Sequence, residues 1–181
     1  MVDKDRDQEL IADCLKGDRQ ALSSLVRRYE RPIYNVSYRM LRSPDEAEDV
    51  AQTTFLKAFE NLHRYNAEHK FFSWIYRIAV NESLNQIRRR KHTEQWVDDQ
   101  PAPGPGPQSQ LEAHEVSDDV QQALEAISDD HRSVIVLRHF AEHSYREIGE
   151  ILQLPEKTVK SRLFSARKAM KAKLDSKGFE R

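Results

Sequence analysis

The chain has one cysteine, Cys14, in 181 residues, so an intramolecular disulfide is excluded. Within the helical pattern ELIADCLKG it reads as a small buried apolar residue. Long apolar runs are missing too: 38% of residues are hydrophobic, and the start MVDKDRDQEL is charged where a secretory signal needs an apolar core. No membrane insertion is expected, and the cytoplasm is the expected location. No HExxH, Walker loop, nucleophile elbow or paired-cysteine site occurs, which argues against an enzyme and against a cofactor. His139 and His143 stand four apart on an expected helix, but with no evident third ligand no metal site is expected. No alternating apolar pattern persists. Apolar residues instead recur at three- and four-residue spacings, so the fold class is all-α.

Glycine and proline are scarce but concentrated. QPAPGPGPQSQ holds four of the seven prolines and two of the five glycines, cannot sustain a helix and offers little apolar surface. A linker over 93–114 therefore separates an N-terminal helical domain, 1–92, from a C-terminal one, 115–181. Charge is also unevenly spread. Glu112 to Asp130 holds seven acidic residues and no Lys or Arg, whereas Glu156 to Lys173 holds seven Lys or Arg and one Glu. The net charge of -1 conceals this asymmetry. Attraction between the two segments predicts a compact free protein. The acidic segment itself reads as a solvated linker and helix start, or alternatively as an interaction surface.

Ser43-Pro44-Asp45-Glu46 carries a helix start: a Ser cap, Pro at the first helical position and Glu placed to reach back to the cap amide. That helix is expected to run to about Leu62 and to bury Ala47, Val50, Ala51, Leu56, Phe59 and Leu62. Glu48, Asp49, Gln52 and Thr53 then lie on or near its outer side. After HRYNAEHK comes FFSWIYRIAVNESLNQIRRRK, with Phe71, Trp74, Ile75, Ile78 and Ile87 on one expected face. Its aromatic residues and the terminal cluster Arg88 to Lys91 resemble a surface that holds unstacked bases, although Trp74 and Phe71 are expected to fill the core.

In SYREIGEILQLPEKTVKSRLFSARKAMKAK, Tyr145 to Leu152 makes a two-turn helix with Ile148, Ile151 and Leu152 apolar. Gly149 is small enough for another helix to cross, and Pro155 starts a second helix. This is a helix-turn-helix pattern. Val159, Leu163, Ala166, Met170 and Leu174 form the expected inner side of the second helix, leaving Lys160, Ser161, Arg167, Lys168 and Lys171 exposed. A basic helix alone is commonly just solvated surface. Following a short helix and tight turn, it suits the major groove of duplex DNA.

These segments together resemble the extracytoplasmic-function group of bacterial sigma factors. YRMLRSPDEAEDVAQTTFLKAF looks like that family's second-region helix, FFSWIYRIAVNESLNQIRRRK like its promoter-melting and minus-ten helix, and HRSVIVLRHFAEHSYREIGEILQLPEKTVKSRLFSARKAM like its fourth region. The resemblance implies a dissociable subunit of RNA polymerase that directs promoter-specific initiation in a stress or envelope response. It implies docking on the clamp of the largest polymerase subunit through Glu48, Asp49, Gln52 and Thr53, the last standing where Glu is common. It implies contacts of Arg64, Tyr65, Asn66, Lys70, Asn81, Arg88 and Arg89 with the melted non-template strand of the minus-ten element. It implies duplex minus-thirty-five recognition by Thr158, Lys160, Ser161, Arg162, Phe164, Ser165 and Arg167, with Ser165 replacing a common Arg. The polymerase flap and a cognate anti-sigma factor are further implied partners, and the linker is implied to pass near the polymerase active site. The alternative is an autonomous helix-turn-helix regulator that never joins polymerase.

Overall fold

The computed structural model describes residues 4–94 and 118–176, all helix and connecting turns, with no β-strand among the described residues. The N-terminal module contains α1 (Lys4–Leu15), α2 (Arg19–Leu41), α3 (Pro44–Glu60), a 3-10 turn (Leu62–Arg64) and α4 (Phe71–Glu94). Helices α2, α3 and α4 pack on one another, and α1 lies along α2. The C-terminal module contains α5 (Asp118–Glu125), α6 (Asp129–Ile135), a π turn (Val136–Phe140), α7 (Tyr145–Leu152) and α8 (Glu156–Asp175). The first two residues of the expected linker belong to α4; the rest, with the start of the acidic segment, lies outside the described residues. Cys14 is half-buried against the core.

The start of α3 forms as its motif requires in one half only. Ser43 Oγ accepts the Glu46 amide proton at 3.4 Å, with Pro44 in the first turn. The return bond from Glu46 is not made. Its carboxylate instead accepts from Arg90 Nε at 2.7 Å and from Gln86 at 3.3 Å, both on α4. A charged donor outcompetes a backbone amide here. Of the expected inner stripe, Ala47, Val50, Ala51 and Leu62 are buried and Phe59 partly so, but Leu56 is 64% exposed. The reason is angular: a residue five positions after Ala51 is rotated roughly 140° from it, so Thr54, Phe55 and Ala58 take the inner places.

Helix α4 departs from the expected one-faced pattern. Phe71, Ile75 and Ile87 are buried and Trp74 and Ile78 half-buried, yet Phe72, Ser73, Tyr76, Ala79, Val80 and Ser83 are buried as well. Part of that second coverage comes from α7, which packs across α4. Phe72 stacks on His143 with centroids 5.2 Å apart, Ser73 Oγ donates to Glu150 at 3.0 Å, and Lys70 pairs with Glu147 at 3.0 Å.

A second junction joins α2 to α5 and α6. The buried guanidinium of Arg132 donates to the carbonyls of Leu124, Glu125 and Met40 at 2.9, 2.9 and 2.7 Å. Burial lowers its pKa, opposed by Asp129 and Glu125. Arg39 Nη1 donates to Gln121 Oε1 at 3.2 Å, and Gln121 Nε2 returns a bond to the Arg39 carbonyl at 3.1 Å. The modules are therefore packed together, and buried residues of both belong to one apolar core. The acidic segment contributes through Glu125 to Arg42 at 2.9 Å and Asp129 to Lys91 at 2.8 Å. Both cations lie in the N-terminal module; toward the basic helix α8, Asp130 reaches Arg162 at 3.2 Å.

The helix-turn-helix closes through α7. Ser144 and Glu147 make the full capping box: the Glu147 amide donates to Ser144 Oγ at 3.3 Å and the Ser144 amide to Glu147 Oε2 at 3.0 Å. Gly149 serves the turn itself, where a crossing helix was expected. A Cβ there would lie 2.7 Å from the Leu154 carbonyl oxygen, and the Leu154 amide donates back to the Gly149 carbonyl at 2.9 Å. Gln153 completes the turn in the left-handed region at φ 54°. On α8, Val159, Leu163 and Ala166 are buried, whereas Met170 and Leu174 are only half-covered in a stretch whose residues 171–173 are all exposed. Gly149→Ala is expected to lower unfolding stability by about 1–3 kcal/mol, because the added methyl meets backbone that cannot yield cheaply. Urea denaturation measures it, and an unchanged midpoint would mean that the turn relaxes freely.

Candidate nucleic-acid and partner interfaces

On α3 the outward face carries Asp45, Glu48, Asp49 and Gln52, all exposed, with Thr53 half-buried beside them. Gln52 Nε2 donates to Glu48 Oε1 at 3.5 Å, one helical turn away. Leu56 extends the same exposed stripe by a further turn. The sequence reading assigned it to the core; strict counting at 3.6 residues per turn would have found it outside.

The loop before α4 is built mainly by its own contacts. Tyr65 packs against Phe71 and Trp74 at 5.6 Å from each, and its hydroxyl donates to the His69 carbonyl at 2.6 Å. Burial, with a contribution from Asp7, pushes its phenol up. Asn66 Oδ1 accepts the Glu68 amide proton at 2.9 Å, and Gln8 Nε2 ties the loop to α1 through the Ala67 carbonyl at 2.9 Å. Arg64 is exposed on the 3-10 turn. Lys70 is engaged by Glu147, with its ammonium 5.2 Å from the Phe72 ring centre.

Asn81 lines an open groove between α3 and α4 with Lys57, Asn61, Trp74, Ile78 and Glu82. Lys57 and Glu82 pair across it at 2.6 Å. Trp74, expected to fill the core, is half-buried and presents part of its surface to this groove. Lys57, Asn61 and Glu82 had no sequence signal, since their meeting depends on how α3 and α4 pack. Beyond Asn81 the exposed residues Asn85, Arg88 and Arg89 continue along one side of α4 at helical spacing. The neighbouring basic residues are structural: Arg90 holds Glu46 and donates to the Leu41 carbonyl at 3.0 Å, and Lys91 pairs with Asp129.

On α8, Lys160, Ser161, Phe164, Ser165 and Arg167 are exposed, Phe164 to 73%, while Thr158 and Arg162 are half-buried. Lys160 pairs with Glu156 at 2.8 Å, and that hydrogen bond raises its pKa. Ser161 Oγ donates to the Thr158 carbonyl at 3.0 Å. Arg167 Nε donates to His139 Nε2 at 3.3 Å, and both line a hollow with Arg138 and Glu142. Burial first, then Arg167 and Arg138, lower the pKa of His139. Arg138 also donates to the His143 carbonyl at 2.9 Å and lies 5.2 Å from the Tyr145 ring centre. Arg138 had no sequence signal, and His139, weighed in the sequence only as half of a metal pair, joins the basic face instead. His139 and His143 are turned to different partners, Arg167 for one and Phe72 with Tyr76 for the other.

Two packed helical modules, one ending in a helix-turn-helix with an exposed basic face, define a class of two-module regulatory protein. The Sigma-70 region 2 family matches residues 25–93 and the Sigma-70, region 4 family residues 117–170. The ECF RNA polymerase sigma factor SigW of Bacillus subtilis is 36% identical over 172 residues, covering 88% of this chain and 91% of that protein. The RNA polymerase sigma-H factor of Pseudomonas aeruginosa is 31% identical over 182 residues, covering 94% of each. Among solved structures, CnrH in complex with the cytosolic domain of CnrY matches with a TM-score of 0.72 at 25% identity, over 96% of this chain and 99% of that one. The chain belongs to the extracytoplasmic-function sigma factors of the sigma-70 family and has the function of an alternative sigma factor.

The two kinds of arginine on α4 separate by stability. Arg90→Ala is expected to cost about 1–3 kcal/mol in urea unfolding, through the unpaired Glu46 carboxylate and Leu41 carbonyl, whereas Arg89→Ala changes it by less than about 0.5 kcal/mol. Equal losses would remove the distinction.

Proposed function

We propose that the N-terminal module, 1–92, docks this sigma factor on the largest-subunit clamp of core RNA polymerase and captures the melted minus-ten strand. The C-terminal module, 115–181, reads the duplex minus-thirty-five element and meets the polymerase flap, and 93–114 connects the two. Docking uses Glu48, Asp49, Gln52 and Thr53, a polar face suited to a charge-paired contact. Arg64, Tyr65, Asn66, Lys70, Asn81, Arg88 and Arg89 take the minus-ten strand. Melting costs roughly 1.4 kcal/mol per base-pair step, so capture of unstacked bases in the groove of Trp74 and Asn81 offsets part of it. Thr158, Lys160, Ser161, Arg162, Phe164, Ser165 and Arg167 meet the upstream duplex, Lys160 at a base edge and Arg167, beside Arg138 and His139, at phosphate.

The observation that carries this reading is α8: Val159, Leu163 and Ala166 are buried while Lys160, Ser161, Phe164 and Arg167 are exposed on its other side. A helix so divided offers cations and an apolar ring to a groove without giving up its own core. The Lys160–Glu156 pair is exposed and costs little to open. An anti-sigma factor completes the proposal, supported by the likeness to CnrH, which was solved in complex with the cytosolic domain of CnrY.

Run-off transcription from fragmented genomic DNA, with core polymerase and with or without the protein, tests the reading. Protein-dependent starts that share two spaced upstream elements are expected; their absence, with folded protein and active core, favours an autonomous regulator. Lys160→Ala is expected to weaken upstream-element binding by about 1–3 kcal/mol and leave polymerase binding intact. Asp49→Ala with Gln52→Ala does the reverse. Equal loss of both activities in either variant overturns the assigned roles.

A further inference from the structure

His143 sits where the two modules meet and is not part of either proposed DNA surface. Its backbone belongs to the C-terminal module: the amide donates to the Leu137 carbonyl at 3.0 Å, and the carbonyl accepts from Arg138 at 2.9 Å. Its ring belongs to the other module's surroundings. It lies flat on Phe72, 5.2 Å between centres and 4° between planes, and edge-on to Tyr76 at 4.6 Å, both on α4. The residue is 9% exposed, and its Nε2 is buried with no hydrogen-bond partner. A neutral imidazole tolerates this aromatic slot; an imidazolium has a second N–H to satisfy and a charge to solvate.

We propose that His143 is a proton-operated latch between the modules: neutral, it lets the C-terminal module close on α4, and protonated, it favours separation. The charged groups around it do not rescue the imidazolium. Lys70, just before α4, already lies 5.2 Å from the Phe72 ring centre, so that ring has one cation beside it before a second arrives. Arg138, in the π turn, adds another positive charge near the carbonyl of His143. Glu147, on α7, is the opposing anion, but it is committed to Lys70 at 3.0 Å and to the Ser144 amide at 3.0 Å. Glu150, further along α7, bonds Ser73. Tyr76 is held neutral by burial, its pKa pushed up to about 12.

Burial lowers the His143 pKa from its ordinary 6.5, with Glu147 opposing and Lys70 reinforcing the shift. Well above pH 6.5 the residue is neutral in both arrangements and closure is undiminished. As the pH falls below that value the open form takes up the proton first, and closure weakens until the closed form also titrates. Each unit of lowering corresponds to a tenfold fall in the closed-to-open ratio. Burial pushes Glu147 up, but the Ser144 amide and Lys70 more than offset it, so its pKa ends lowered and the Lys70 pair persists through this window.

Opening the latch frees Phe72, Ser73 and Lys70. Its effect on minus-ten capture rests on the proposed sigma-factor roles, whereas the latch itself rests on the packing alone. The full chain, without polymerase or DNA, therefore tests it. Small-angle scattering at constant ionic strength from pH 7.5 to 5.5 is expected to show the wild type expanding and His143→Phe, which keeps the stack without titrating, remaining compact. A wild type of constant dimensions, or a His143→Phe protein that expands alike, overturns the proposal. Proton NMR of the wild-type histidines provides a reading independent of any variant. A His143 midpoint below 6.5 supports the latch, and one at or above 6.5 refutes it.

Discussion

The guanidinium of Arg132, 7% exposed, is the contact on which the arrangement of the two modules turns. Its three acceptors are last-turn carbonyls: Met40 closes α2, and Leu124 and Glu125 close α5. The final carbonyls of a helix lack intrahelical donors and carry the negative end of the helix dipole, so a buried cation there answers two needs at once. Arg90 does the same for the Leu41 carbonyl. Two arginines from distant parts of the chain thus cap the end of α2 and hold α4, α5 and α6 around it.

In the closed arrangement that junction decides which faces remain outside. Helix α4 is covered on two sides, by its own module and by α7, and keeps exposed Asn81, Asn85, Arg88 and Arg89 and the groove beside Trp74. Helix α3 is covered on one side and leaves its acidic, amide-bearing stripe exposed, ending in Leu56. Helix α8 is anchored by three small or branched apolar residues and leaves its cations outward. The proposed polymerase and promoter contacts are drawn from these uncovered faces. The exceptions are Arg64, Tyr65, Asn66 and Lys70, which precede α4, Lys70 being held by Glu147 across the junction, and Arg162, half-buried and paired with Asp130.

Much of the fold was legible in the sequence. Ser43-Pro44 announced the start of α3, the apolar pattern of Tyr145 to Leu152 gave α7, and the apolar spacing of Val159, Leu163 and Ala166 gave the inner side of α8. Local hydrogen bonds and helical periodicity explain this success, because both act within one or two turns of chain. The failures have one local cause and one distant one. Leu56 was placed inside by a stripe with one step of five positions, and Glu46 was expected to bond its own cap but is held by Arg90 forty-four residues away.

Sequence alone determined the all-helical class, the helix-turn-helix, the polar stripe of α3 and the basic face of α8, since each depends on side chains spaced along a single helix. Tertiary structure alone decided which members of a basic cluster are structural, as Arg90 is and Arg89 is not. It also gathered Lys57, Asn61, Trp74 and Asn81 into one groove and seated His143 between rings of the other module. Those outcomes depend on the packing of helices far apart in the chain. Periodicity within one helix carries no information about the face that another helix will cover.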